Sequence, residues 1–101
     1  MGWADAYVTT LVAGKTVSFR PTGNSMVGKI NSGQLCTVGP VTPKTALTVG
    51  DIVLCRVHGK TYLHLIKAIQ DDRYQIGNNR NSINGWTSRS QIFGRLISVE
   101  S

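Results

Sequence analysis

The stretch IVLCRVHGKTYLHLIKAIQDDRYQI, residues 52–76, decides the fold class of this chain. Three runs rich in β-branched and aromatic residues, 52–57, 61–69 and 74–76, are separated by His58-Gly59 and Asp71-Asp72. Gly and Asp in such short gaps are typical of tight turns, so the runs are predicted to form successive strands of an antiparallel meander. The chain is therefore expected to be mainly β.

Further strands are predicted at 16–20, 35–38 and 95–99, giving about six to eight short strands in all. Apolar residues recur at helical spacing between residues 3 and 13, and Gly14 follows as a stop signal. This pattern predicts one short N-terminal helix that packs on the sheet. Segments 39–50 and 77–90, which are rich in Gly, Pro and polar residues, are predicted to be loops. The expected organisation is a single domain, with the helix in residues 1–14 and the β-structure in residues 15–101.

The composition is that of a globular protein, with 41% hydrophobic and 16% charged residues in a chain of 101. The formal net charge is +6, and the basic residues are scattered along the chain rather than clustered. A scattered excess attracts anionic partners only through its summed field. A nucleic-acid partner is compatible with this charge, but no recognition motif accompanies it.

No metal or cofactor is expected from the sequence. Cys36 and Cys55 stand singly in apolar runs, without a CxxC pair or a Cys/His cluster, and are predicted to be buried free thiols. No signal-peptide pattern and no run of about 18 apolar residues is present. The expectation is a cytoplasmic protein without a membrane partner, and the sequence gives no indication of its oligomeric state.

The segment Gly23-Asn24-Ser25-Met26 follows the first predicted strand and forms a candidate nucleophile turn. Glycine permits a sharp turn, and the apolar residues after Ser25 can anchor it, so that the serine hydroxyl lies at the edge of a groove near backbone amides. Serine in a Gly-Asn turn is also common as a simple turn residue or helix cap. The turn alone therefore does not decide between the two interpretations.

A family resemblance that spans roughly residues 16–99 is carried by five segments in chain order: GNSMVGKINSGQL, VGDIVLCRV, TYLHLIKAI, IGNNRNSINGWTSR and IFGRLISV. The series resembles the LexA and signal-peptidase superfamily of serine peptidases. That superfamily carries a G-x-S-M turn, a Gly-Asp-(Ile/Val)-Val strand, a strand with the general base, a G-D-N loop and a closing Gly-(Lys/Arg)-Val strand. The resemblance implies a small antiparallel β-domain with peptidase activity on a peptide or protein substrate.

The resemblance places the nucleophile at Ser25 and the general base at His64, where most of the family has lysine. A Ser-His pair is similar to that of the endoplasmic-reticulum and archaeal-type signal peptidases. The Ser25 amide is then expected to hold the oxyanion. The other residues expected to shape the oxyanion site or the groove are Asn24, Met26, Tyr62, Asn78, Ser82 and Trp86. His64 can alternatively be a packing residue between strands.

Lys67 is the competing base on the same predicted strand. Side chains alternate between the two faces of a strand, so two residues three positions apart point in opposite directions. If His64 faces Ser25 together with Tyr62 and Ile66, Lys67 is predicted to face solvent. A β-bulge between them would reverse this argument.

The chain departs from the family pattern at three places. Asn78 replaces the aspartate of the G-D-N loop, which puts in doubt a carboxylate that orients His64 from that position. Gly28 stands where many relatives have proline, and no helix-turn-helix precedes the first strand, so a repressor function is not expected. Asn84, like Ser82 and Trp86, can orient the base or line the groove, although Asn84-Gly85 is itself a strong turn signal.

A second class of function stays open on sequence grounds. The same scaffold can serve as a catalytically inactive binding module, which contacts a protein partner or nucleic acid through its groove or its basic surface. Catalysis requires the Ser25 hydroxyl, whereas a binding module depends on its Arg and Lys residues and on salt.

Overall fold

The computed structural model describes residues 2–101, which form a curved antiparallel sheet with a helix at its start. The elements in chain order are the helix α1 (Asp5–Val12) and the strands β1 (Val17–Phe19), β2 (Leu35–Pro40), β3 (Ile52–Val57), β4 (Lys60–Gln70), β5 (Arg73–Gly77), β6 (Ile83–Ser88) and β7 (Ile92–Glu100). The spatial order of the strands is β1-β2-β7-β3-β4-β5-β6, and all the pairs are antiparallel. The prediction of a mainly-β fold with one short N-terminal helix is confirmed.

The central meander follows from two tight turns. Val57 pairs with Lys60 across a two-residue turn in which His58 (φ 49°) and Gly59 (φ 82°) both have positive φ. Such turns match the right-handed twist of the strands that they join. The next turn joins Gln70 to Arg73, and its first central residue, like His58, has positive φ. The pairing of β3, β4 and β5 that the sequence predicts is therefore present.

The last strand, β7, lies between β2 and β3 and connects the β1–β2 pair to the part of the sheet formed by β3 to β6. It begins at Ile92, three residues before the predicted 95–99 strand. Gly94 faces Leu54 in β3 and Pro40 in β2, and a β-carbon there would lie 2.5 Å from Cγ1 of Val38. The absence of a side chain at Gly94 thus allows the strand to pass close to its neighbours.

One strand was not expected from the sequence. The predicted loop 77–90 contains β6, which pairs with β5 through contacts that include Gln75 with Trp86. Asn84-Gly85, typical of a turn, lies inside this strand: Gly85 pairs with Ile76 and has φ 137°, a conformation that favours glycine. The predicted loop at 39–50 also starts later, since β2 continues to Pro40.

Apolar side chains form two buried clusters. The first cluster includes Leu11 of α1 together with residues of β1 to β4. The second cluster includes Val53, Ile66 and Ile76 and lies among β3, β4 and β5, with Ile92 of β7. Cys36 belongs to the first cluster and Cys55 to the second, and both are free thiols with no exposed surface. Within residues 2–101, no helix has the length and apolar character needed to cross a membrane.

Candidate active site

The turn that carries Ser25 lies between β1 and β2 and is anchored by its apolar residues. Met26 and Ile30 are both buried, at 5% and 4% exposure, and the Ile30 amide donates a 2.7 Å hydrogen bond to the Met26 carbonyl. Gly23 has φ 117°, a conformation that other residues rarely adopt. The buried anchors and this sharp bend leave Ser25 half-buried at the surface.

Asn79 ties this turn to the opposite end of the sheet. Its backbone amide donates a 3.0 Å hydrogen bond to the Ser25 carbonyl, and its side-chain amide donates a 2.8 Å hydrogen bond to the Val27 carbonyl. Gly28 has φ 98°, and a β-carbon there would lie 3.1 Å from Nδ2 of Asn79. Glycine at position 28, one of the departures from the family pattern, therefore gives Asn79 room to hold the turn.

His64 lies in the middle of β4, and its imidazole reaches the Ser25 hydroxyl. The distance between Nε2 of His64 and Oγ of Ser25 is 3.1 Å, within hydrogen-bond range. The His64 ring is 8% exposed and stacks on Tyr62, with ring centroids 5.0 Å apart and planes inclined by 28°. The structure thus brings together the two residues that the sequence analysis assigned as nucleophile and base.

Asn84 provides the hydrogen bond on the other side of the imidazole. Its Oδ1 lies 2.7 Å from Nδ1 of His64. Gly77 pairs with Ile83 and Ile76 pairs with Gly85, so Asn84 is the extra residue of a β-bulge. A bulge changes the direction of a side chain relative to a regular strand, and here it directs Asn84 towards His64.

The side-chain carbonyl of Asn84 determines the tautomer of the His64 imidazole. A carbonyl oxygen accepts but cannot donate a hydrogen bond. Nδ1 of His64 therefore carries a hydrogen and donates the hydrogen bond to Oδ1 of Asn84. The lone pair of Nε2 then points at the Ser25 hydroxyl, which can donate to it. This is the tautomer that a general base for a serine nucleophile requires.

Burial also favours the neutral form of His64, the form that can accept a proton. Desolvation lowers the pKa of the imidazole below its ordinary value, while the hydrogen bond with Asn84 raises it by a smaller amount. The imidazolium is the charged form, and burial disfavours it. With the pKa lowered, His64 is neutral near pH 7 and can accept a proton.

Lys67 lies on β4 beyond His64 but makes no hydrogen bond with Ser25 within residues 2–101. Ile66 pairs with Ile76 and Ala68 with Gln75, so Lys67 is the extra residue of a second β-bulge. Its side chain is half-buried rather than fully solvated, and its Cε would lie 3.1 Å from a β-carbon on Gly77. Within residues 2–101, no hydrogen bond joins Lys67 to Ser25, whose hydroxyl contacts His64 instead.

A cavity of about 200 Å³ opens beside the Ser25 hydroxyl. Of the residues expected to shape the groove, Met26 and Tyr62 line it, next to Ser25 and His64. Four others lie outside this lining: Asn24, Asn78, Ser82 and Trp86. Asn24 is exposed in the turn, and Trp86 of β6 pairs with Gln75 of β5. The Asn78 side chain accepts hydrogen bonds from the amides of Arg80 and Ser82, and so shapes the loop that presents Asn79.

The Ser25 backbone amide donates no hydrogen bond to any residue between 2 and 101, which leaves it available to an oxyanion. No group of three His, Cys, Asp or Glu side chains that could hold a metal occurs in the same range. The two thiols lie in the core, and desolvation raises the pKa of Cys55 to about 12. The reactive groups of the site are therefore a hydroxyl and an imidazole.

No protein-family model matches this chain, and no curated protein matches its sequence significantly.

Proposed function

We propose that the protein is a serine peptidase, with Ser25 as nucleophile, His64 as general base and Asn84 as the residue that orients the base. The observation that supports this most strongly is the continuous pair of hydrogen bonds from Ser25 through His64 to Asn84, at 3.1 and 2.7 Å. A nucleophile, a base within hydrogen-bond reach and a third group that orients the base form the arrangement typical of activated serine.

In the proposed reaction, Oγ of Ser25 attacks the carbonyl carbon of a peptide bond while its proton passes to Nε2 of His64. The carbonyl oxygen becomes an oxyanion, which the Ser25 amide stabilises. When the tetrahedral intermediate collapses, the C–N bond breaks and His64 returns the proton to the leaving amine. A water molecule, deprotonated by His64, then hydrolyses the ester on Ser25, and the hydroxyl regains its proton.

Asn84 is neutral, so its role differs from that of the aspartate in a Ser-His-Asp triad. It can orient the ring and select the tautomer, but it supplies no negative charge to the imidazolium that forms during attack. Papain-like peptidases use asparagine in the corresponding role beside a cysteine nucleophile. In a serine site of this kind, the pKa of the histidine is expected to be lower than in a site where a carboxylate contacts the imidazole.

We infer membership of the LexA and signal-peptidase superfamily from the five ordered motifs. The order of the segments along the chain and the antiparallel β-fold both support the inference. The proposed variant has histidine at position 64 and lacks a carboxylate at position 78. The proposed substrate class, a peptide or protein, is inferred from the same resemblance.

The test is labelling with a fluorophosphonate probe, which reacts with activated serines, followed by peptide mapping. Modification is expected on Ser25, and it should be lost in Ser25→Ala and strongly reduced in His64→Gln. Ser18→Ala is the matched control, because Ser18 is an exposed serine on β1 that contacts Thr37 rather than a base. A mixture of peptides incubated with the same proteins should yield new termini only where Ser25 and His64 are intact.

Labelling that persists in Ser25→Ala, or that is equal at Ser18 and Ser25, would overturn the proposal. Salt-sensitive binding of peptide or nucleic acid without labelling or turnover would instead support the inactive binding module.

A further inference from the structure

Trp3 is a large apolar side chain that remains 54% exposed beside the candidate active site. It lies just before α1, in a turn held by Asp5, whose carboxylate accepts a 2.8 Å hydrogen bond from the Gly2 amide. The indole contacts the rings of Phe19 and Tyr7, at centroid distances of 5.7 and 6.4 Å. Tyr7 and Phe19 stack on each other at 4.5 Å, so they support the indole on one side.

Three neighbouring cavities share Trp3 in their walls. The first contains Ser25 and His64, and the others have volumes of about 470 and 670 Å³. Pro21 and Thr22 belong to both the first and the second cavity, while Thr61 and Tyr62 belong to both the first and the third. The three cavities therefore adjoin one another and share Trp3; together they are called the groove here, and Ser25 and His64 line the first of them.

The charges in this groove are mostly positive. Arg20 lies in the second cavity, and Arg56 and Lys60 lie in the third. The one carboxylate in the three linings is that of Asp5, which lies 4.0 Å from Arg56 and also accepts from Gly2. Arg20 and Lys60 are both exposed, line different cavities and have no carboxylate partner among residues 2–101, although Arg20 donates a 2.9 Å hydrogen bond to the Gly33 carbonyl.

We propose that Trp3 is a specificity-determining residue, and that the groove takes an extended peptide with an apolar side chain against the Trp3 indole and acidic side chains towards Arg20 and Lys60. The inference rests on the proposed function and names the substrate class of the same site. Exposed tryptophan offers a large, rigid apolar surface at a low entropic cost, which is why it is enriched among residues that dominate binding. Flanking carboxylates complement the two cations and determine orientation along the groove.

Binding can be measured separately from turnover in Ser25→Ala, with the fluorescence anisotropy of labelled synthetic peptides. Three peptides of equal length are compared: one with a central leucine between aspartates, one with the leucine replaced by serine, and one with the aspartates replaced by lysines. The leucine–aspartate peptide should bind at least about tenfold more tightly than the other two, and its affinity should fall as salt is raised.

The variants test each contact. Trp3→Ala should weaken binding by about tenfold or more, while Trp3→Phe should recover part of it. Val12→Ala is the control. Val12, the last residue of α1, is exposed like Trp3 but lines a different cavity. Lys60→Glu should reverse the preference between the acidic and basic peptides, and Lys44→Glu, at an exposed lysine outside the groove, should not.

Equal binding by Trp3→Ala and the parent, with unchanged thermal stability, would overturn the inference. The Ser25-intact protein then separates the two proposals. Hydrolysis that is insensitive to Trp3→Ala contradicts the role of Trp3 and leaves the peptidase intact, whereas tight, Trp3-dependent binding without hydrolysis supports the groove and contradicts the peptidase.

Discussion

Nδ1 of His64 and Oδ1 of Asn84 lie 2.7 Å apart, although β5 separates their strands in the sheet. The contact is made where β5 ends, since Gly77 is its last residue and pairs with Leu65, the neighbour of His64. A side chain from β6 can therefore reach β4 directly. This relationship determines which nitrogen of the imidazole faces Ser25.

Replacing Asn84 should affect catalysis through the orientation of His64. Asn84→Ala is expected to lower kcat by about 10- to 100-fold, part of the roughly 10²- to 10⁴-fold effect of a positioned general base. Asn84→Asp should instead raise the pKa of His64, because a carboxylate favours the imidazolium, and should shift the acid limb of the rate profile to higher pH. Pre-steady-state hydrolysis between pH 5 and 9 measures both effects. Ile83→Ala, at an exposed neighbour on β6, is the control, and an unshifted profile in Asn84→Asp would contradict the assigned contact.

The pH dependence of stability follows from the lowered pKa of His64. The unfolded state has the ordinary histidine pKa of about 6.5 and so binds a proton at a higher pH than the folded state. The free energy of unfolding should therefore decrease as pH falls below about 6.5, and the decrease should end below the folded-state pKa. Urea denaturation of the parent and of His64→Gln measures this. The same dependence in both proteins would show that His64 does not cause it.

The assignment of the base predicts different effects at two positions on β4. His64→Gln should reduce kcat by about 10²- to 10⁴-fold, because the proton acceptor is lost. Lys67→Met, which keeps an unbranched side chain at the bulge but removes the ammonium group, should change kcat by less than about threefold, since no hydrogen bond joins Lys67 to Ser25 within residues 2–101. Steady-state kinetics on one peptide distinguish them. A large loss in Lys67→Met with activity retained in His64→Gln would assign the base to lysine.

Asn79→Ala should loosen the turn that carries Ser25, the proposed nucleophile. The substitution removes the 2.8 Å hydrogen bond to the Val27 carbonyl but keeps the backbone hydrogen bond to Ser25. The expected loss in the free energy of unfolding is about 1 kcal/mol, together with a decrease in kcat larger than any change in KM. Arg80→Ala, at the exposed neighbouring residue, controls for a general effect of altering the loop. Unchanged kcat would indicate that the turn is positioned without this contact.

Gly94→Ala tests the close packing of β7 against its neighbours. The new methyl group would lie 2.5 Å from Cγ1 of Val38 and 2.8 Å from Cδ1 of Leu11, both buried. Overpacking of this kind is expected to cost about 1–3 kcal/mol in the free energy of unfolding. Gly39→Ala is the matched comparison, because its methyl group would meet Cδ1 of Ile97, which is 64% exposed and can move aside. Equal losses in the two variants would contradict this explanation.

The sequence predicted the elements whose signals are local. The meander could be recognised because its strands have β-branched residues and its turns have residues that accept positive φ. The position of β7 between β2 and β3 could not be predicted from the sequence, because pairing between distant segments leaves no periodic signal. The sequence of β6 favours a loop, because most of its residues are polar or small and Thr87 is its one buried residue.

The candidate site shows a similar division. Ser25 and His64 were selected from ordered motifs, and the structure places them in contact. Asn84 was one of three polar candidates, and the Asn-Gly pair favoured a turn, because a bulge that redirects one side chain cannot be read from residue types. The same limitation applies to Lys67, where alternation between faces fails at the bulge.

The two bulges lie on either side of Ile76, one in β4 and one in β6. Each adds one residue to its strand, so deletion of a single residue at position 67 or 84 would restore a regular ladder. Deletion at 84 would also remove the partner of His64. At this point of the sheet, a regular ladder and the Ser25–His64–Asn84 arrangement therefore exclude each other.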